Sequence, residues 1–296
     1  MNQTKQTNIF ALIFFMFFII SAQLLYMVPF IHNLPYEWFS SIIQITYFVV
    51  PIVGYFIWTK KNPKEIFRLY PLGWKNFILI VLFGFAIQPL MNFFSFLTSM
   101  FFPNVALEAF DSLQNASILG SLITMAVLPA LLEELSLRGV FLSGYSHLGT
   151  WKSIFCTALL FGLLHMNPQQ FPYAFIAGLF FCFLVQRTGS IWASIIPHFI
   201  INATSVVAMF ISTETPVDTM PMSNTITLFA TVFFASLSIP FLALIFYIFI
   251  VINPAPAEPQ TTHTTEKFLS IPIYCIFALF FIFGILPYIG DLFSTI

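Results

Sequence analysis

Long apolar runs with almost no charge dominate this chain, and they fix the solvent in which it can fold. Of its 296 residues, 59% are hydrophobic and only 7% are Asp, Glu, Lys or Arg, whereas soluble domains carry about 25% charged residues. So few charges would leave large apolar patches exposed on a water-soluble globule, and soluble monomers avoid such patches. The sequence therefore predicts a polytopic membrane protein, and it excludes a cytosolic enzyme, a disulfide scaffold and a disordered chain.

The apolar runs predict an all-α bundle of eight or nine transmembrane helices, since one span needs about 20 mostly apolar residues. The predicted spans are residues 9–31, 38–58, 76–102, 117–147, 152–166, 170–187, 190–211, 225–252 and 268–290. Eight spans would return the C-terminus to the side of the N-terminus, and nine would not. We expect residues 1–296 to form a single integral membrane domain, with a flexible Pro/Thr-rich loop at 253–266 before the last helix.

The few basic residues predict the orientation of the chain. With a cytoplasmic N-terminus, all ten Lys and Arg residues fall at or near the inner side, and all charged residues of the outer loops are acidic. This is the positive-inside pattern, and a compact chain without organelle signals favours a bacterial plasma membrane. The net charge of −1 offers nucleic acid no basic surface, so the expected partners are the lipid bilayer and a peptide or protein.

A few ionisable residues remain at membrane depth after the loop charges are set aside. Such residues mark functional sites by default, because a charge there costs about 2.5–3.5 kcal/mol. They are Glu133, Glu134, Arg138, His165 and His198, with Asn202 and Gln88 as neutral polar neighbours.

The two adjacent glutamates of the fourth span differ in the ion-pair partners available to them. Glu134 and Arg138 are four residues apart with the acid first, the favourable order for an ion pair. Glu133 points about 100° away around the helix. Its partner must therefore come from another helix.

The other polar residues lie at a matching depth. His198 and Asn202 are four residues apart and share one face of the seventh helix. At about 1.5 Å per residue, Glu133 and His165 both lie roughly 20 Å from the inner ends of their helices, Asn202 roughly 18 Å and His198 roughly 12 Å. The sequence therefore predicts a polar cavity among the fourth, fifth and seventh helices.

Small residues at four-residue spacing occur in the fifth and sixth spans. They are Ala158 with Gly162 and Ala174 with Gly178. This spacing predicts that the two helices pack closely.

Three short motifs carry a resemblance to a known family. EExxxR runs from Glu133 to Arg138, FxxxH from Phe161 to His165, and HxxxN from His198 to Asn202. In order and helix placement they resemble the motifs of the CPBP intramembrane proteases. That family includes the type 2 CAAX prenyl endopeptidases and the bacterial Abi or bacteriocin-processing proteins. With its helices, the resemblance covers about residues 118–211.

The resemblance implies an endopeptidase that hydrolyses a peptide bond of a membrane-associated or lipidated substrate entering from the membrane. It implies that Glu133, with His165, activates water as general base, and that His198 and Asn202 hold the oxyanion. An alternative that stays open uses His165, His198 and Glu133 as ligands of a catalytic zinc ion. The zinc and metal-free mechanisms are both compatible with the sequence.

The resemblance gives Glu134 and Arg138 a supporting role, bracing the helix that carries Glu133. Two other functions stay open. A catalytically silent scaffold or bacteriocin-immunity protein would keep the same core. A transporter with a Glu/His proton relay would need a polar path to both faces, and we expect the outer half of the spans to offer little polarity.

Overall fold

The computed structural model of the chain describes residues 2–29, 33–103, 116–214, 224–254 and 266–289. Within these ranges the chain is helical and contains no strand. The main helices are α1 Gln3–Tyr26, α2 Tyr36–Thr59, α3 Trp74–Ser99, α4 Ile118–Leu148, α5 Thr150–Leu164, α6 Phe171–Thr188, α7 Trp192–Glu214, α8 Asn224–Ile252 and α9 Ile271–Ile289. The prediction of an all-α polytopic membrane protein is confirmed.

The choice between eight and nine spans depends on α5. In the described residues, eight helices are long and apolar enough to cross a membrane, and α5 is the shorter apolar helix. Its 15 residues extend about 22 Å, less than the roughly 30 Å of a hydrocarbon core. Two predicted span ends, at residues 31 and 290, lie outside the described residues, as does most of the 253–266 loop.

Helix α4 lies at the centre of the bundle and contacts α1, α2, α5, α6 and α7. It contains two π-helical segments, Ile123–Val127 and Leu135–Phe141. Between them lies the stretch Leu128–Glu134, with Pro129 near its start. Proline lacks the N–H of a regular helix, and π segments occur frequently at functional sites. The irregular helix therefore carries both adjacent glutamates at its centre.

Helices α5 and α6 form a tight hairpin. Asn167 Oδ1 accepts hydrogen bonds from the backbone N–H groups of Gln169 (2.8 Å) and Gln170 (3.1 Å), which leads the chain into α6. A Cβ atom added at Gly178 would lie 3.1 Å from Cα of Ala158. The close packing predicted from the small residues is confirmed.

Aromatic rings hold α1, α2 and α4 together. The ring of Phe10 lies 5.0 Å from that of Tyr55 and 5.5 Å from that of Phe141, measured between centroids. All three side chains are buried. Since buried aromatic side chains contribute large contact areas, this cluster fixes α4 on one side and leaves its other face for the cavity described below.

The basic residues gather at one end of the bundle, here called the cationic end. Hydrogen bonds there link the start of α1 to Glu266 and the end of α4, the 60–75 loop to the α6–α7 turn, and the start of α3 to the end of α8. The basic residues in these segments are Lys5, Lys60, Lys61, Lys64, Arg68, Lys75, Lys152, Arg187 and Lys267. The remaining one, Arg138, is buried within α4.

Candidate active site

A cavity of about 600 Å³ lies among helices α2 to α7. Its lining includes Glu133 of α4, His165 at the end of α5, and His198 and Asn202 of α7. The structure thus brings these four predicted residues to one cavity. Helices α2 and α6, which the sequence did not assign to the site, and α3, for which it offered only Gln88, also contribute to its walls.

A buried ion pair lies beside the cavity. Arg138 Nη1 is 2.9 Å from Glu134 Oε1, and both side chains are fully buried, which confirms the ion pair predicted from the spacing. The guanidinium carbon of Arg138 also lies 4.3 Å from the centre of the Phe161 ring and 5.2 Å from that of Phe181. A cation between two ring faces is stabilised by their quadrupoles, which helps to offset the cost of burying it.

Glu134 also holds His198, across from α4 to α7. His198 Nδ1 lies 2.8 Å from Glu134 Oε1. A carboxylate paired with arginine can only accept hydrogen bonds, so Nδ1 carries a proton and donates it. In the neutral ring, Nε2 is then the unprotonated nitrogen. Glu134 therefore fixes both the orientation and the tautomer of His198.

Glu133 approaches the opposite nitrogen of the same ring. Its Oε2 lies 3.8 Å from His198 Nε2, which is too long for a direct hydrogen bond. Within the described residues this oxygen is buried and has no hydrogen-bond partner. Because buried polar atoms are nearly always satisfied, a bare carboxylate oxygen in a cavity is suited to bind water or substrate.

His165 is oriented by its own helix. Its Nδ1 lies 2.9 Å from the carbonyl oxygen of Phe161, and since a carbonyl only accepts, Nδ1 donates and Nε2 keeps a free lone pair. In the described part of the chain, His165 forms no ion pair with either glutamate. His165 and Glu133 both line the cavity.

The cavity is more polar than the sequence suggested. Further polar residues in its lining are Tyr36, Ser40, Gln44, Tyr47, Asn92, Ser95, Thr124, Gln170, Tyr173 and Ser205. The expectation of little polarity in this half of the spans is therefore wrong. A search for charged residues misses neutral side chains. On α2, however, the polar residues recur at spacings of four, four and three from Tyr36 to Tyr47, which places them on one helix face.

Gln88 was a further candidate for this cavity, and the structure gives it another contact. Its Oε1 accepts a hydrogen bond of 3.0 Å from the hydroxyl of Thr204, which ties α3 to α7. It does not belong to the lining.

The cavity does not reach the cationic end of the bundle. In the described ranges, none of its lining residues belongs to the segments of the cationic end. The fully buried Glu134 and Arg138 lie next to His198 and the rings of Phe161 and Phe181. The polar path to both faces that a transporter requires is therefore not found in the part of the chain that the structure describes.

The zinc alternative fits the residues only in part. Both histidines direct Nδ1 at an oxygen and leave Nε2 free, as metal-bound histidines commonly do. Among the residues described, however, no three His, Cys, Asp or Glu side chains lie close enough together to hold a metal ion. As arranged, the side chains do not fit zinc, so no catalytic step is derived through it; zinc stays an untested prediction.

Comparison with known proteins supports the motif assignment. Residues 115–204 match the family model described as type II CAAX prenyl endopeptidase Rce1-like. No curated protein and no solved structure matched the chain. The matched segment runs from the start of α4 to the end of the HxxxN motif and contains all the predicted site residues. It confirms the resemblance predicted from the three motifs: residues 115–204 of this chain are similar to the type II CAAX prenyl endopeptidases of the CAAX/CPBP family of intramembrane proteases.

Proposed function

We propose that the chain hydrolyses a peptide bond within the cavity, with Glu133 as the general base and without a metal ion. The observation that carries this proposal is the buried, unpartnered oxygen of Glu133 facing His198 in a cavity that also holds His165 and Asn202. General bases must lie within reach of the proton that they remove. A water molecule in this cavity would meet that condition.

The first step uses the two acceptor groups. Glu133 takes a proton from water while the water oxygen forms a bond to the carbonyl carbon of the substrate. The free Nε2 of His165 accepts the second hydrogen bond of that water and orients it. Glu133 then gives its proton to the amine nitrogen as the C–N bond breaks, so that the carboxylate is regenerated.

The carbonyl oxygen becomes an oxyanion that requires hydrogen-bond donors. The amide N–H of Asn202 is one such donor. His198 donates through Nε2 when its ring carries both protons, with the Nδ1 proton held by the carboxylate of Glu134. Loss of one oxyanion donor typically costs about 10²–10³ in kcat.

The proposed substrate is a membrane-associated or lipidated peptide that enters from the bilayer. Apolar side chains complete the cavity wall beside the polar ones, among them Met91, Met125, Ala174 and Val206. Such a wall suits an apolar segment or lipid chain next to the bond that is cleaved. The type II CAAX prenyl endopeptidase name of the matched family makes a prenylated CAAX peptide the first substrate to test.

Purified protein in nanodiscs, assayed with an internally quenched farnesylated CAAX peptide and its unprenylated counterpart, tests the proposal. We expect Glu133→Gln and His165→Ala to lower kcat by about 10²-fold or more, because general-base catalysis contributes 10²–10⁴. The matched control is Glu65→Gln, which changes an exposed carboxylate near the cationic end. This variant should keep full activity. Undiminished cleavage by Glu133→Gln and His165→Ala would contradict the proposal and favour a catalytically silent scaffold.

Metal analysis of the same preparation decides between the two mechanisms. A Glu133-based mechanism predicts a zinc content far below one ion per chain and full activity after chelation. Stoichiometric zinc, lost together with activity on chelation and regained on its addition, would replace this mechanism with the zinc alternative.

A further inference from the structure

A second, larger cavity lies at the cationic end, on the far side of α6 from the candidate active site. It has a volume of about 1090 Å³ and is formed by the start of α5, α6, α8 and the segment before α9. None of its lining residues also lines the active-site cavity. Its size slightly exceeds the roughly 300–1,000 Å³ that is typical of small-molecule sites.

Apolar and aromatic side chains form the wall of this groove. Trp151 and Phe155 of α5 face Phe183 of α6 and Phe246 and Ile250 of α8. The rings of Trp151 and Phe183 stack with 6.0 Å between their centroids, and Trp151 is nevertheless 68% exposed. The groove thus offers an extended apolar surface with an aromatic residue at its mouth.

Three cations from three different segments lie around the same groove. They are Lys152 of α5, Arg187 of α6 and Lys267 before α9. In the residues that the structure describes, none of them pairs with a carboxylate. Within the described residues, the guanidinium of Arg187 donates to the carbonyl oxygen of Asn253 (3.2 Å) and lies over the Phe183 ring.

The single carboxylate in the lining offsets only one of these three positive charges. Glu266 is engaged by Thr4, which donates to it through both N–H and hydroxyl, and by the ring of His147 at 2.9 Å. These partners belong to α1 and α4 and are not themselves part of the lining. The groove therefore combines apolar walls with an excess of positive charge in its lining.

We propose that this groove binds an anionic glycerophospholipid, with its phosphate at Lys152, Arg187 and Lys267 and its acyl chains along the aromatic wall. Basic pockets between transmembrane helices on the cytoplasmic side are typical sites for anionic headgroups. The charge distribution places the cationic end on that side. The intervening residues 255–265 contain no Val, Leu, Ile, Met or aromatic residue, so they have little apolar surface with which to fill the groove themselves. The lipid site does not depend on proteolytic activity.

Lipid binding to the purified full chain in non-ionic detergent tests this site, with dioleoylphosphatidylglycerol and dioleoylphosphatidylcholine as probes in native mass spectrometry. We expect the wild type to retain phosphatidylglycerol in preference to phosphatidylcholine. The variant Lys152→Gln/Arg187→Gln/Lys267→Gln should lose at least about tenfold in affinity for phosphatidylglycerol, since each nearby cation contributes to anionic-lipid attraction. Lys152→Gln/Lys267→Gln removes two of the charges without breaking the contact of Arg187 to Asn253, and should show the same direction.

Two controls make the result specific to the groove. Lys60→Gln/Lys61→Gln/Lys64→Gln removes three charges at the same end but outside the groove, and should leave the affinity within about twofold. Leu179→Trp fills the groove with apolar bulk at unchanged charge, and should weaken binding. Equal binding of both lipids, an equal loss in the Lys60/Lys61/Lys64 variant, or unchanged binding by Leu179→Trp would overturn the proposal in favour of non-specific lipid contact.

Discussion

At the scale of single residues, the organising contact is the chain from Arg138 through Glu134 to His198. One carboxylate oxygen of Glu134 receives both the guanidinium at 2.9 Å and the imidazole at 2.8 Å. Glu134 thus connects a buried cation to a cavity residue on another helix. Spacing along α4 predicts only the first of these contacts.

This arrangement predicts a non-additive effect on stability. Glu134→Gln leaves Arg138 as an uncompensated buried charge, which should lower the free energy of unfolding by about 3–5 kcal/mol. Glu134→Gln/Arg138→Met removes both charges and should be less destabilised than Glu134→Gln alone. Denaturant unfolding in detergent measures these two variants and Arg138→Met alone. A double variant whose loss of stability equals the sum of the two single losses would contradict a coupled pair.

The tautomer of His198 gives a second prediction at this scale. In protein with ¹⁵N-labelled histidine, Nδ1 of neutral His198 should carry the proton, because Glu134 accepts from it. His147, whose Nε2 faces Glu266, is a reference ring bonded through its other nitrogen. A neutral His198 protonated at Nε2 would remove the basis for the proposed orientation.

At the scale of helices, contact between α5 and α6 depends on the absence of a side chain. At Gly178 an added Cβ would lie 3.1 Å from both Cα and Cβ of Ala158, which is closer than ordinary contact allows. Gly178→Val should therefore destabilise the protein by about 1–3 kcal/mol through overpacking. Thermal unfolding in detergent measures the effect.

The matched control lies on α2. Nothing lies within 4 Å of a Cβ added at Gly54, and valine has a higher helix propensity than glycine. Gly54→Val should therefore leave the stability unchanged or slightly raised. Equal losses in both variants would show that close helix packing is not the cause.

At the scale of the whole molecule, nine of the ten basic residues lie at the cationic end, which the cavity does not reach. If the cationic end faces the cytoplasm, as its charges predict, the active-site cavity lies toward the outer leaflet. In a cysteine-free background, a membrane-impermeant maleimide added to intact cells should label Asn33→Cys, which is exposed near Tyr36 of the cavity lining. Lys64→Cys should react only after the membrane is permeabilised. The reverse pattern would place the cavity on the cytoplasmic side.

The sequence by itself determined the class of protein, the identity of the charged residues at membrane depth and the ion pair within α4. These follow from local rules: apolar length, the cost of a buried charge and helical spacing. It did not find the polar face of α2, because neutral side chains carry no large membrane penalty and do not stand out in an apolar run.

Only the tertiary structure decided which groups meet across helices. Contacts between Glu134 of α4 and His198 of α7, and the 3.8 Å separation of Glu133 from the same ring, join residues more than 60 positions apart in sequence. Depth arithmetic allows such residues to be level but cannot fix the rotation of each helix about its axis. That rotation is set by packing, here by Gly178 against Ala158 and by the aromatic cluster around Phe141, because side-chain shape determines which helix faces can approach.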